Sequence, residues 1–218
     1  MEESSQIGSG KPRAMPRMQG MLVLVVGPSG AGKDSVIDGA KAALAGDERF
    51  VFARRVITRP VGVGGEAHTE TTPDAFAAAQ AAGAFCLSWQ AHGFDYGVPG
   101  AIEDDLIARR CVIANVSRSV LDIARDRYRR ICVVNITAPV ETLARRIALR
   151  GREDAVSIRK RLERAAQAMP VGDDVVTLEN TCALDDAVNA FVAVLRRVEP
   201  LHDMVVQHAK PGFEVFSE

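Results

Sequence analysis

The stretch Met21–Ser35, MLVLVVGPSGAGKDS, constrains the fold more than any other. Met21 to Val26 is an apolar run rich in valine. It is short enough for a strand and apolar on both faces, as a strand buried inside a parallel sheet must be. It leads into Gly27-Pro28-Ser29-Gly30-Ala31-Gly32-Lys33, which has the G-x-x-x-x-G-K spacing of a phosphate-binding loop opening a helix. Glycines allow the backbone to fold tightly and turn successive N–H groups toward one anion. The helix behind the loop adds partial positive charge at its N-terminus. Lys33 is long enough to reach the outer phosphates of a nucleoside triphosphate.

One position departs from that pattern. The residue after the lysine should be Ser or Thr, whose hydroxyl holds Mg²⁺. Here it is Asp34, with Ser35 one place later. Asp34 reads either as a hard oxygen ligand for Mg²⁺ or as an acidic residue favoured in the first helical turn, and its position favours the metal role.

The rest of the chain supplies the other parts of a sheet wrapped by helices. Helix Asp34–Ala45 is followed by an expected strand Phe50–Ile57. Thr72 and Pro73 start an alanine-rich helix by N-cap and N1 chemistry, and Gly83 stops it. A helix near Pro99–Arg109 leads into the apolar strand Cys111–Val116. Ser117 caps helix Arg118–Tyr128, and Ile131–Ile136 is a further strand. Thr137 and Pro139 are expected to start a helix running to Arg150. Another helix over 154–169, strand Val175–Leu178 and helix Ala183–Val198 complete the domain over 21–198. Residues 55–100 are less regular and read as an insert carrying an acceptor site. Residues 1–20 read as a disordered leader and 199–218 as a weakly structured tail. The alternation argues for an α/β fold with a parallel sheet and helices on both faces.

Composition narrows the function classes. With 218 residues and 47% hydrophobic residues the chain has ample material for one core. A net charge of −1 gives no reason to expect nucleic acid or a membrane as partner. Cys86, Cys111, Cys132 and Cys182 show no paired spacing and read as reduced core residues of a cytoplasmic protein. Nothing in the sequence sets the number of subunits.

Ligands of parallel α/β sheets bind at the carboxyl ends of the strands. The phosphate loop, Thr58-Arg59, the Asn115–Arg118 turn and the start of an arginine-rich hairpin at 145–164 all fall there. That hairpin holds Arg145, Arg146, Arg150, Arg152, Arg159, Arg161 and Arg164, with Gly151 as a break. Arg146 and Arg150 share a helix face. Guanidinium groups bind phosphate bidentately and stabilise a phosphoryl group in transfer, so the hairpin reads as a lid over phosphates rather than a solvated basic face. His68 and His92 lack partners at metal-ligand spacing and read as substrate contacts or packing residues. Trp89 and Phe94 read as local core. Tyr96-Gly97 either binds a phosphate or caps a turn.

Together, GPSGAGK at 27–33, Thr58-Arg59, Tyr96-Gly97 and Arg150-Gly151-Arg152…Arg161-Leu162 resemble the guanylate-kinase-like branch of the nucleoside monophosphate kinases. The variants Lys33-Asp34-Ser35, Ile57-Thr58-Arg59, Leu87-Ser88-Trp89, Tyr96-Gly97-Val98 and Arg150-Gly151-Arg152-Glu153 more closely resemble the ribose 1,5-bisphosphate phosphokinase family. This resemblance, over about 21–198, implies transfer of the ATP γ-phosphoryl group to ribose 1,5-bisphosphate. The product would be 5-phosphoribosyl 1-diphosphate, made in phosphonate catabolism, with ATP and Mg²⁺ required. It implies Lys33, Arg150 and Arg161 as catalytic residues, and Gly27–Ser35 with Arg146 and Arg152 on the nucleotide. Asp34 or Ser35 would place the metal, and Arg55, Arg59, Glu66 and Tyr96 would hold the acceptor. Guanylate kinase (ATP plus GMP) and a non-catalytic binding module on the same fold are the alternatives. Against the first, the Asp-Tyr-x-Phe run of guanylate kinases is absent after Gly65-Glu66, and Asn115 stands where they carry an acid.

Overall fold

The computed structural model describes residues 20–60, 67–149, 169–181 and 183–198. Nine strands and six helices occur among them: β1 Met21–Val26, α1 Lys33–Ala43, β2 Phe50–Phe52, β3 Val56–Ile57, β4 Thr69–Glu70, α2 Pro73–Ala81, β5 Phe85–Ala91, β6 Phe94–Pro99, α3 Ile102–Ile107, β7 Cys111–Asn115, α4 Leu121–Arg127, β8 Ile131–Thr137, α5 Val140–Leu149, β9 Val175–Glu179 and α6 Leu184–Val198.

Five strands form one parallel sheet in the order β2-β7-β1-β8-β9. The central strand β1 is buried on both sides, which its unbroken apolar run required. Val23 and Val25 point into a core built with Val36, Ala40, Leu143, Phe191 and Leu195 of α1, α5 and α6. Leu22, Leu24 and Val26 point the other way, among Leu106, Leu121 and Ala124 of α3 and α4. Each such Val, Leu or Phe side chain is worth roughly 1.5–3 kcal/mol when removed from water.

A second sheet, in the order β4-β3-β6-β5, occupies the region expected to be an insert. It shares the second core, through Cys86 and Leu87 of β5 and Val98 of β6. His92 (φ 54) and Gly93 (φ 78) make the two-residue turn between β5 and β6, with Ala91 paired to Phe94. Both turn residues have positive φ, as a tight hairpin of this hand needs.

Two expectations are corrected. Phe50–Ile57 is not one strand. β2 ends at Phe52 beside β7, and Val56–Ile57 pairs with β4 and β6 in the other sheet. The chain changes sheets at Arg54 and Arg55, because two guanidinium groups cannot enter the interior of the apolar parallel sheet. Thr137 does not open the following helix. It is the last residue of β8, paired with Glu179, and α5 begins at Val140, where Leu143 N–H donates to the Pro139 carbonyl at 3.0 Å. By contrast Thr72 caps α2 as expected, its Oγ1 accepting from Ala75 N–H at 3.2 Å with Pro73 in the first turn. Ser117 accepts from Ser119 N–H and opens a short 3₁₀ turn, Arg118–Val120, ahead of α4.

Candidate active site

The loop Gly27–Gly32 lies at the carboxyl end of β1 and feeds α1. Gly27 (φ 146), Gly30 (φ 86) and Gly32 (φ 85) all hold left-handed or related conformations that side chains resist. At Gly27 a Cβ would run into the carbonyl of Ile136, and at Gly32 it would meet the carboxamide of Asn180. Lys33 Nζ folds over the loop and donates to the carbonyls of Gly27 (2.7 Å) and Pro28 (3.1 Å). Its ammonium is thus held within the loop where a phosphate chain would enter. The exposed Ser35 and the half-buried Asp34 follow in the first turn of α1.

Two asparagines brace the loop and the first turn of α1, and of these only Asn115 was marked in the sequence, as part of the Asn115–Arg118 turn and as the neutral residue where guanylate kinases carry an acid. Asn180 follows β9, is 4% exposed, and takes its own N–H to the Thr137 carbonyl at 2.7 Å. Its Nδ2 donates to the Ala31 carbonyl at 2.8 Å. That bond engages a loop carbonyl whose oxygen would otherwise be free to repel a phosphate. Asn115 ends β7 and donates through Nδ2 to Asp34 Oδ1 at 2.8 Å. For Asn180 the only sequence cue was a polar residue at the carboxyl end of an apolar strand, which is where ligands of parallel sheets bind.

The second sheet begins where the chain leaves the carboxyl end of β2. Thr58 is tied to Asp95 twice: its N–H donates to the Asp95 carbonyl (3.1 Å), and Asp95 N–H donates to its Oγ1 (2.9 Å). This fixes the backbone leading into Arg59. The Arg59 Nε and Nη2 atoms are buried and have no hydrogen-bond partner among the described residues. A buried donor left unpaired costs about 1–3 kcal/mol, so such a guanidinium fits a site whose partner is a ligand. His68, expected as either a substrate contact or a packing residue, is 1% exposed and its Nε2 bonds the Arg59 carbonyl at 2.8 Å. It supports the arginine from behind.

Arg55 is buried under Tyr96 and Trp89, its guanidinium carbon 5.4 Å and 5.8 Å from the two ring centres. The rings lie parallel, 5.4 Å apart. Flat guanidinium groups stack on aromatic faces and gain from the ring charge distribution. Tyr96 is interior to β6 and buried, so it does not cap a turn, and Gly97 beside it leaves room for the Phe85 ring. Trp89 packs against the second core, as expected of it. His92 is exposed at the hairpin turn.

Of the arginine-rich hairpin, the described residues include only Arg145, exposed on α5, and Arg146, whose Nη1 is buried with no hydrogen-bond partner among the described residues. Arg150, Arg152, Arg159, Arg161, Arg164 and the helix expected over 154–169 lie outside the described residues, as does Glu66. Arg118, in the turn after β7, is half-buried, and desolvation draws its pKa downward. The buried thiols play no part at the site. Burial pushes Cys132 up to about 11 and raises Cys86, so both stay protonated and inert at neutral pH.

No protein-family model matches the chain. It is 50% identical to the ribose 1,5-bisphosphate phosphokinase PhnN of Methylobacterium radiotolerans, over 82% of this chain and 99% of that protein. It is also 50% identical to the protein of the same name in Rhodopseudomonas palustris, over 72% of this chain and 83% of that one. A longer relative, the bifunctional ribose 1,5-bisphosphokinase-thymidine phosphorylase of Azorhizobium caulinodans, is 46% identical over 81% of this chain, which spans only 25% of its length. Among solved structures, a guanylate kinase from Anaplasma phagocytophilum superposes with a TM-score of 0.59 at 18% identity, covering 87% of this chain and 94% of that one, and shares the fold. A guanylate-kinase-like fold, a phosphate loop ending in Lys33-Asp34 and near-full-length relatives at half identity place this chain in the ribose 1,5-bisphosphate phosphokinase family.

Proposed function

We propose that the chain transfers the γ-phosphoryl group of ATP to the 1-phosphate of ribose 1,5-bisphosphate, giving 5-phosphoribosyl 1-diphosphate and ADP. The step belongs to phosphonate catabolism and runs in the cytoplasm. The reading is carried by two features taken together. A phosphate loop with Lys33 drawn into it stands on the parallel sheet. Arg59, whose Nε and Nη2 are buried with no hydrogen-bond partner among the described residues, follows β3 of the smaller sheet.

In this reading the loop amides of Gly27–Gly32 and Lys33 hold the β- and γ-phosphates. Three glycines in left-handed or related conformations and a carbonyl engaged by Asn180 fit such a group. Mg²⁺, when bound, neutralises charge on the phosphates, with Asp34 as its protein ligand and Ser35 beside it. Arg59 orients an acceptor phosphate, with Arg55, Glu66 and Tyr96 in support. Arg146, Arg150, Arg152 and Arg161 close over the reacting groups. The acceptor oxygen is already anionic, so no base is needed to remove a proton. Catalysis is then positioning plus charge stabilisation. A sugar bisphosphate suits a wall of guanidinium groups. A guanine edge would need hydrogen-bond partners that the departures from the guanylate kinase pattern remove.

The test is a steady-state assay of ATP with ribose 1,5-bisphosphate and, separately, with GMP. Turnover of the sugar bisphosphate is expected. Strong GMP turnover would make the chain a guanylate kinase, and ATP binding with neither acceptor phosphorylated would make it a binding module.

A further inference from the structure

In phosphate-loop NTPases the hydroxyl after the loop lysine and an aspartate from a strand end hold Mg²⁺ together. Here both positions are changed, in complementary ways. The helix position carries the carboxylate, Asp34, and the strand end carries a neutral amide, Asn115. Asn115 closes β7, the strand paired with β1, and stands opposite Val25, two residues before the loop. It is 9% exposed, and its Nδ2 donates to Asp34 Oδ1 at 2.8 Å.

We propose that the two residues have exchanged roles. Asp34 supplies the one carboxylate of the magnesium site from the helix, and Asn115 is the positioning residue that aims it. The inference rests on the ATP-dependent reading above, but not on the identity of the acceptor.

Three considerations support the exchange. A carboxylate at both positions would set two like charges within hydrogen-bond distance of each other whenever the metal is absent. An amide at Asn115 keeps the count at one and donates instead. The bond occupies Oδ1 only. Oδ2 has no protein partner among the described residues, so it is available to a hard cation. Among the described residues no group of three His, Cys, Asp or Glu is placed to hold a metal. An ion here would therefore take its remaining ligands from phosphate and water, as Mg²⁺ commonly does. A carboxylate serving only the helix terminus would need no bond from a strand on the other side of the loop.

Mn²⁺ binding to the protein–ADP complex, read from the free-ion EPR signal, tests this. Calorimetric ADP affinity without metal serves as the check that the loop is folded. Asp34→Asn and Asp34→Ser should weaken Mn²⁺ binding about a hundredfold and Asn115→Ala about tenfold, without weakening metal-free ADP binding. The double variant Asp34→Ser/Asn115→Asp restores the usual arrangement and should regain most of what Asp34→Ser loses. Wild-type Mn²⁺ affinity in Asp34→Asn, or a double variant no better than Asp34→Ser, overturns the proposal. The two readings fail separately. Mn²⁺ held through Asp34 with ribose 1,5-bisphosphate left unreacted would remove the acceptor and keep the exchange. Turnover of that acceptor with Mn²⁺ binding indifferent to Asp34 would do the reverse.

Discussion

The two rims of the site are built from different materials. The phosphate loop is main chain: three glycines with positive φ and one lysine folded back on loop carbonyls. The other rim is side chain: Arg59 resting on a buried histidine, and Arg55 beneath two stacked rings. The first is local in sequence, because a loop and the helix it opens are contiguous. The second is assembled from β3, β5, β6 and the segment before β4, which meet only through pairing of the smaller sheet. The difference teaches where specificity resides. Backbone amides accept any phosphate chain, whereas guanidinium groups fixed by neighbours select the shape of the acceptor.

Breaking the main-chain rim should have the largest effect. Lys33→Ala should lower kcat by about a thousandfold or more, since it removes a cation that acts on the charge developing in transfer. Circular dichroism and the thermal midpoint should stay as in the wild type, and near-normal turnover would sink the assignment. Next comes Arg59→Lys, which keeps the charge and loses the planar fork. About a tenfold to hundredfold loss in kcat/KM for the acceptor is expected, with KM for ATP little changed. A matching loss for ATP would mean that the two rims are not separable.

Smaller effects sharpen the comparison from behind each rim. Asn180→Ala leaves the Ala31 carbonyl unbonded and should raise KM for ATP while costing about 1–3 kcal/mol of stability in a denaturant titration. His68→Phe should cost a similar amount, about 1–3 kcal/mol, but move KM for the acceptor instead. If both variants shifted the same substrate, the division between the rims would be lost.

The smallest effect concerns the core between the parallel sheet and α1, α5 and α6. Burial holds the Cys132 thiol at about 11, above its ordinary value of 9.0. The folded state keeps that proton longer than the unfolded one, so unfolding releases it. Stability should hold below about pH 9 and decline toward pH 11, and Cys132→Ala should flatten that decline.

What could be read in the sequence follows the same division. β1, the loop, α1 and the cap of α2 were legible because their signals are contiguous: an apolar run, fixed glycine spacing, Thr72 before Pro73. The split of Phe50–Ile57 between two sheets was not. FVFARRVI is apolar at both ends, and only the two arginines at its centre mark the crossing. The Thr137-x-Pro139 spacing imitates a helix start, but pairing with β9 holds Thr137 in the strand. Arg59 was singled out by its motif. Its support by His68 and the bracing of the loop by Asn180 depend on contacts between residues 9 and 149 positions apart, which no local pattern encodes.

The central claim, that the side-chain rim selects a sugar bisphosphate, is tested most directly by competition. The protein is given ATP, Mg²⁺ and equal amounts of ribose 1,5-bisphosphate and GMP, and the mixture is followed by phosphorus NMR. The account predicts loss of the 1-phosphate signal of the sugar, growth of a coupled diphosphate pair and GMP left intact. Formation of GDP with the sugar bisphosphate unchanged would contradict it.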